Sequence, residues 1–245
     1  MSYAIASWRS GGRARHTARS LLMLPFAIFF GVTVLAATYV AYVLWPRWPG
    51  PPVDANAASL PIVIAGVTFK VPPGSVRRAV QRRPGAQERV DLVFLWPSLT
   101  PPDATEAPSG AVAATAAAAK ALDRMFVTLA SGDSTLAPAE RVNTIYPRYL
   151  ANEPVPGPNG LVMLPFRNDT PYRGEDLLYP PQASGRFILR CTRQGAGPTP
   201  GTCLYERRIA SADITVRFPR DWLDDWNAVA NSIDQLIDGM RPQQG

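Results

Sequence analysis

Two adjacent carboxylates in the segment YRGEDLLY are the residues best placed to do chemistry. Glu175 and Asp176 stand beside Tyr172 and Arg173 in a stretch without regular periodicity, where binding residues often lie. Glycoside cleavage needs two carboxyl groups on either side of the scissile bond, so this pair could serve a glycan hydrolase. The alternative interpretation is an ordinary loop salt bridge. A second acidic group, at positions 221–225, is explained by helix capping.

Most other catalytic arrangements are excluded by the distribution of histidine. His16 is the only histidine and precedes a long apolar segment, so Ser-His-Asp triads, Cys-His pairs and most zinc sites have no histidine in the rest of the chain. Gly132, Asp133 and Ser134 resemble a nucleophile block only superficially, and we interpret them as a turn. No phosphate-binding loop, dinucleotide fingerprint, haem-attachment motif or calcium loop is present. We therefore predict no catalytic residue, no cofactor and no metal.

Arginines are concentrated in the segment RRAVQRRPGAQER. Guanidinium groups bind phosphate and carboxylate with two parallel hydrogen bonds, so the segment could bind an anion or an acidic partner. The alternative is a solvated loop that faces lipid head groups. The five arginines of this segment are Arg77, Arg78, Arg82, Arg83 and Arg89.

The two cysteines predict a disulfide and an oxidising compartment. Cys191 and Cys203 are separated by a Gly- and Pro-rich insert between two strand-like runs, which brings the thiols together across a hairpin. A disulfide between them is expected outside the cytosol. Reactive thiols are the weaker alternative, because no CxxC motif is present.

The apolar segment at residues 21–45 must position the rest of the chain. Its 25 residues include no charged side chain, which exceeds the roughly 20 residues that cross a bilayer. Four arginines precede it, and no acidic residue occurs before Asp54, so we predict a cytoplasmic tail at 1–20 and an external remainder. A cleaved signal sequence is the alternative. Ala27 and Gly31 have a spacing that permits close helix contact.

Net charge does not indicate nucleic-acid binding. The chain carries a formal charge of +6, but four arginines lie in the tail, which leaves 21 basic against 19 acidic side chains. Membrane topology explains the basic tail. We expect contact with lipid through residues 21–45, a protein partner in the membrane or periplasm, and no nucleic-acid partner.

The remainder divides into a Pro-rich stalk at 46–61 and one domain at 62–245. Strands are predicted at LPIVIAGVTFKVP, which is one strand or two strands broken at Gly66, and at RVDLVFLW, and we expect these to pair. The Ala-rich segment 104–120 is helical or mobile, and Leu122, Met125, Phe126 and Leu129 extend helical spacing, so an amphipathic helix is predicted at 110–130.

The C-terminal half predicts a β-meander followed by a helix. Residues 131–160 are Pro-rich and should lack long regular elements. Strands are expected at GLVMLPFR, RFILRCTR, TCLYERRI and ADITVRF. An apolar stripe from Trp222 to Met240 predicts an amphipathic helix that packs on the sheet. The predicted fold is α+β: one transmembrane helix, then an external domain with a mainly antiparallel sheet and a C-terminal helix.

These features predict a single-pass protein of a bacterial inner membrane with a periplasmic domain. The first functional hypothesis is a non-enzymatic binding or accessory subunit of an envelope protein complex. The second is a sensor or carrier of a small anionic ligand, bound by Arg77, Arg78, Arg82 and Arg83. The third is a carboxylate-dependent glycan hydrolase that uses Glu175 and Asp176.

Overall fold

The computed structural model describes residues 14–44, 57–102, 123–132, 136–182, 187–195 and 200–242. The chain forms two compact units, Met1–Gly50 and Pro51–Gly245. Most of the predicted basic tail, most of the predicted stalk and the Ala-rich segment 104–120 lie outside the described residues.

The first unit contains one long apolar helix, α1 (Ala14–Leu44). Its 31 residues span roughly 46 Å at 1.5 Å per residue. Pro25–Tyr42 has a mean hydropathy of 1.7, and the helix is long and apolar enough to cross a membrane, a criterion that a signal sequence also meets. Thr33 and Thr38 donate their hydroxyls to the carbonyls of Phe29 and Val34, at 2.9 and 2.8 Å, so neither hydroxyl needs water.

The second unit is built on an eight-stranded antiparallel sheet with the order β4-β5-β11-β10-β9-β8-β7-β6. The strands β8 to β11 are neighbours in chain order, as the predicted meander requires. The eight strands are β4 (Arg89–Leu95), β5 (Arg124–Ser131), β6 (Val155–Pro156), β7 (Val162–Pro165), β8 (Glu175–Tyr179), β9 (Leu189–Thr192), β10 (Thr202–Ile209) and β11 (Ala212–Pro219).

A smaller sheet precedes it in the chain. Strands β1 (Leu60–Ile64) and β2 (Val67–Val71) form a hairpin, and β3 (Gly85–Ala86) runs parallel to β1. The hairpin turns at Ala65 and Gly66, with φ of 46° and 81°. Because glycine adopts positive φ without steric cost, the predicted break at Gly66 is confirmed. The predicted pairing with RVDLVFLW is wrong, since β4 pairs with β5.

The predicted helix at 110–130 is wrong for residues 124–130, which belong to β5. Met125, Val127 and Leu129 are almost fully buried, so burial repeats every second residue. Strand β5 is hydrogen-bonded to β4 on one side and to β11 on the other. Pairing on both sides outweighs a helical spacing that the same apolar residues also satisfy.

The segment between β5 and β7 contains only short elements in its described residues, 136–161, as its prolines predicted. Helix α2 (Pro138–Glu140) continues into a π-helical turn at Arg141–Ile145 and a 3₁₀ turn at Tyr146–Arg148. A further 3₁₀ turn at Pro158–Gly160 precedes β7. Tyr146 and Leu150 are buried and hold this segment against the sheet in a small second core with Phe166 and Leu177.

The C-terminal helix α3 (Trp226–Met240) packs as predicted, although it begins later than its apolar stripe. Residues Arg220–Asp225 form a 3₁₀ segment instead, in which Trp222 stacks on Trp96 at 4.9 Å. The Asp225 side chain accepts a hydrogen bond from the Ala228 amide at 3.3 Å and caps α3. Five apolar residues of α3 join the main core: Val229, Ile233, Leu236, Ile237 and Met240. The predicted α+β class is confirmed.

The predicted disulfide is present between β9 and β10. Cys191 and Cys203 are directly opposite in the sheet register, with an S–S distance of 2.02 Å. Both residues are fully buried in the main core. The bond therefore joins the two strands that flank the Gly- and Pro-rich insert.

Candidate functional site

The eight-stranded sheet has two chemically different faces. The inner face carries the apolar side chains that form one core with α3, among them Val127, Leu129 and Val216. Successive strand residues point to opposite sides, so the outer face carries the residues between them. Sheet register places one row of side chains across this face, in the order Arg190, Leu204, Arg217, Phe126 and Val93.

A carboxylate lies at the centre of the outer face of β4. Asp91 accepts hydrogen bonds from the Arg89 side chain, at 3.0 and 2.8 Å, and from the Thr128 hydroxyl at 3.0 Å. Arg78 lies 3.7 Å from its other oxygen. Burial alone would raise the pKa of Asp91, but the hydrogen bonds from Arg89 and Thr128 and the charges of both arginines leave this pKa lowered. Asp91 therefore stays ionised and orients two exposed guanidinium groups.

An aromatic ring separates two further arginines on this face. The Arg77 guanidinium lies over the ring of Phe126, 4.8 Å from its centroid, in a cation–π contact. Arg217 is the cross-strand neighbour of Phe126 on β11 and is exposed. Within the described part of the chain, Arg217 forms no ion pair. We call Arg77, Arg78, Arg89 and Arg217, with Phe126 and Asp91 between them, the arginine surface.

The predicted arginine cluster is only partly brought together. Arg77, Arg78 and Arg89 belong to the arginine surface. Arg82 instead donates from Nε to the Val76 carbonyl at 3.1 Å and holds its own loop. Arg83 is exposed, and its backbone carbonyl accepts a bond from Gln87 at 2.7 Å. The four arginines of the anion hypothesis, Arg77, Arg78, Arg82 and Arg83, therefore do not converge on one anion position. Whether they bind an anion stays a prediction.

The segment YRGEDLLY was predicted as a loop, but Glu175 and Asp176 begin strand β8. The sequence signal for this strand was the run EDLLY, whose pairing partners β7 and β9 lie on either side. Arg173 is exposed in the preceding turn. Of the predicted loop site, Tyr172 and Glu175 remain near each other, because each contacts Arg190.

Arg190 joins Glu175 to a group of aromatic rings. Its guanidinium lies 5.3 Å from the ring of Tyr172 and 6.0 Å from that of Tyr146, and its Nη1 lies 3.3 Å from Glu175 Oε2. Burial raises the pKa of Glu175, and Arg190 opposes that shift. Burial likewise raises the pKa of Tyr146. Sequence reasoning missed Arg190 because only the folded register brings β9 beside the tyrosines.

Asp176 points into the protein. It is 2% exposed, and its two oxygens accept bonds from Arg193 Nε at 2.7 Å and Arg220 Nη2 at 2.8 Å. Arg193 also donates to the carbonyls of Phe166 and Glu175, at 3.0 and 3.1 Å. These bonds tie β8 to the segments that follow β9 and β11, so Asp176 has a structural role here.

Two clefts flank the aromatic group. The larger, with a volume of about 410 Å³, is mainly apolar and is lined by Val142, Leu150, Leu164, Leu177, Tyr179 and Ile188 among others. The smaller, about 80 Å³, lies between α2 and the sheet and reaches Tyr146, Arg190 and Glu206. Among the described residues, no group of His, Cys, Asp and Glu side chains is arranged to hold a metal ion.

Comparison with known proteins supports the fold alone. No family model matches the chain, and no curated protein matches it. Smlt3025, an immunity protein of the Stenotrophomonas maltophilia type IV secretion system, is similar over 80% of this chain and 100% of its own, with 14% identity and a TM-score of 0.51. FrpD, an iron-regulated outer membrane lipoprotein of Neisseria meningitidis, aligns over 78% of this chain and 96% of its own, with 9% identity and a TM-score of 0.39.

Proposed function

We propose that this protein is a non-enzymatic, membrane-anchored binding or accessory subunit of an envelope protein complex. The observation that carries this proposal is the arginine surface: an exposed sheet face on which charged groups are fixed around a half-buried aromatic ring. Surfaces that combine arginine with an aromatic side chain are typical of protein interfaces.

The apolar helix and the disulfide support the proposed location. Helix α1 is apolar enough to act as a signal anchor, and the four arginines before it favour a cytoplasmic N-terminus. A disulfide persists in oxidising compartments such as the periplasm. Inner-membrane placement with a periplasmic domain is therefore part of the proposal. The likeness to Smlt3025, which is described as an immunity protein of a secretion system, is consistent with an envelope role.

The two other hypotheses have less support. A small anion would need converging donors, but Arg77 stacks on a ring, Arg78 faces Asp91 and Arg82 binds a backbone carbonyl. Glycan hydrolysis by Glu175 and Asp176 would need both carboxyl groups on one cleft, and Asp176 is instead buried between two arginines.

Mild cross-linking of the full-length protein in its native membrane tests the proposal. We expect a reproducible, stoichiometric protein complex after affinity purification. A variant in which residues 21–45 are replaced by an unrelated transmembrane segment is the matched control for complexes that depend on the anchor sequence. Recovery of the protein alone, both with its own apolar segment and with the replacement, would contradict the proposal.

A further inference from the structure

We propose that the arginine surface docks an acidic face of a partner protein, with apolar side chains between its carboxylates. This inference rests on the proposed function and adds the location and chemistry of the interface. It starts from the row of side chains across the outer face, where arginine and apolar residues alternate: Arg190, Leu204, Arg217 and Phe126 lie on four successive strands. Neighbouring strands are about 4.8 Å apart, so the row spans about 14 Å.

The charge of the surface is unbalanced. Arg77, Arg78, Arg89 and Arg217 are exposed, and Asp91 is the acidic residue that faces them. Farther along the same face, Glu206 is paired with Arg141 at 3.0 Å and Asp213 with Arg208 at 2.6 Å, so these two carboxylates are balanced by arginines outside the arginine surface. The positive excess is complementary to carboxylates, which guanidinium groups bind with two parallel hydrogen bonds.

Two of the arginines are held in place before a partner arrives. Arg89 is fixed by two hydrogen bonds to Asp91, and Arg77 is held against the ring of Phe126. A side chain that is already ordered loses less conformational entropy on binding. Fixed guanidinium groups with a half-buried ring between them form the type of centre that contributes most to binding free energy.

A protein fits this surface better than an anionic membrane does. The same face continues from the arginines into the Arg141–Glu206 ion pair, and a protein can match this mixed pattern of charge group by group, whereas a uniformly anionic lipid surface cannot. Phe126 and Leu204 are half-buried, and the Arg77 guanidinium lies over the Phe126 ring, so this face offers little apolar surface for insertion into a bilayer.

Site-specific photo-crosslinking in the native membrane tests this interface. A photoreactive amino acid replaces Thr215, which lies on the outer face between Glu206 and Thr128, in the full-length protein. As a control, the same photoreactive amino acid replaces Asn231, which is exposed on α3 and reports contacts away from the arginine surface. We expect an adduct from position 215 whose cross-linked stretch contains more Asp and Glu than Lys and Arg.

Charge reversal supplies the second arm. In the R77E/R217E variant we expect adduct yield to fall by roughly tenfold or more, which corresponds to about 1.4 kcal/mol. The K70E/R241E variant makes the same charge change at exposed residues outside the arginine surface and should keep the adduct. The R77Q/R217Q variant removes the two charges without reversing them. A melting temperature close to that of the unmodified protein shows that loss of the adduct is not caused by a folding defect.

Four results would overturn the inference: no adduct from position 215, an adduct with lipid, a cross-linked stretch without acidic excess, or an adduct that survives R77E/R217E. The whole-complex purification separates this failure from failure of the proposed function. A complex that forms equally well with R77E/R217E places the interface elsewhere and leaves the accessory role intact. The absence of any complex with the unmodified protein contradicts both the interface and the accessory role.

Discussion

Glu175 and Asp176 are consecutive residues of β8, and their carboxylates lie on opposite faces of the sheet. Glu175 meets Arg190 on the outer face, while Asp176 meets Arg193 and Arg220 on the inner side. A strand turns successive side chains to opposite sides, so two adjacent acids on one strand do not flank a single bond. Although the two residues are adjacent in sequence, each carboxylate therefore forms its own ion pairs.

Replacement of Asp176 by Asn should destabilise the domain strongly. The change removes the buried negative charge that Arg193 and Arg220 share, and breaking a buried ion pair by removal of one partner costs about 3–5 kcal/mol. Urea unfolding measures the free energy. The control is D169N, because Asp169 forms a 3.5 Å ion pair at an exposed position and should change stability little. Equal effects of the two variants would contradict a structural role for Asp176.

Glu175 should make the domain less stable as pH rises. Burial raises its pKa in the folded state, so the folded protein retains a proton that the unfolded chain releases from about pH 4.3 upward. The free energy of unfolding should fall with pH from that value to the raised pKa and then level off. The E175Q variant lacks this titration, so the stability of the unmodified protein relative to E175Q should fall over the same window. A difference that is constant with pH would contradict the raised pKa.

Asp91 should give the opposite pH dependence. Its folded pKa lies below the ordinary value of about 3.9, so its contribution is complete above that pH and is lost as pH falls through the lowered pKa. At neutral pH, D91N should cost about 1.5–3 kcal/mol, as expected for hydrogen bonds to a charged group. Thermal unfolding of both proteins across this range measures the effect. A stability difference between the unmodified protein and D91N that grows as the pH falls would show that the pKa of Asp91 is not lowered.

The elements that the sequence predicted well are those defined by local patterns. The hairpin follows from Gly66, the β-meander from turn-rich gaps, and α3 from its repeating apolar stripe. Strand β5 was missed because its apolar residues satisfy both a helical and a strand spacing, and its long-range partners β4 and β11 decide between them. The arginine surface was predicted in part: Arg77, Arg78 and Arg89 belong to the predicted segment, but Phe126 and Arg217 come from strands distant in sequence.

Two substitutions in β5 distinguish the strand from the predicted helix. Leu129 is fully buried, so L129A should cost about 2–5 kcal/mol. Phe126 lies on the outer face, so F126A should cost less, mainly through its contact with Arg77. In a helix the two side chains would share one face, one turn apart, and F126A would cost at least as much. Chemical denaturation of the two variants decides between these structures.

The disulfide should contribute stability chiefly by restricting the unfolded chain. The bond closes a loop with a sequence separation of 12, for which the loop-entropy relation gives about 3 kcal/mol. We expect the C191A/C203A variant to lose roughly that amount in urea unfolding. Because both residues are fully buried, dithiothreitol should reduce the bond only when urea opens the strands. Rapid reduction of the native domain, or an unchanged unfolding midpoint after the bond is removed, would contradict a buried, stabilising crosslink between β9 and β10.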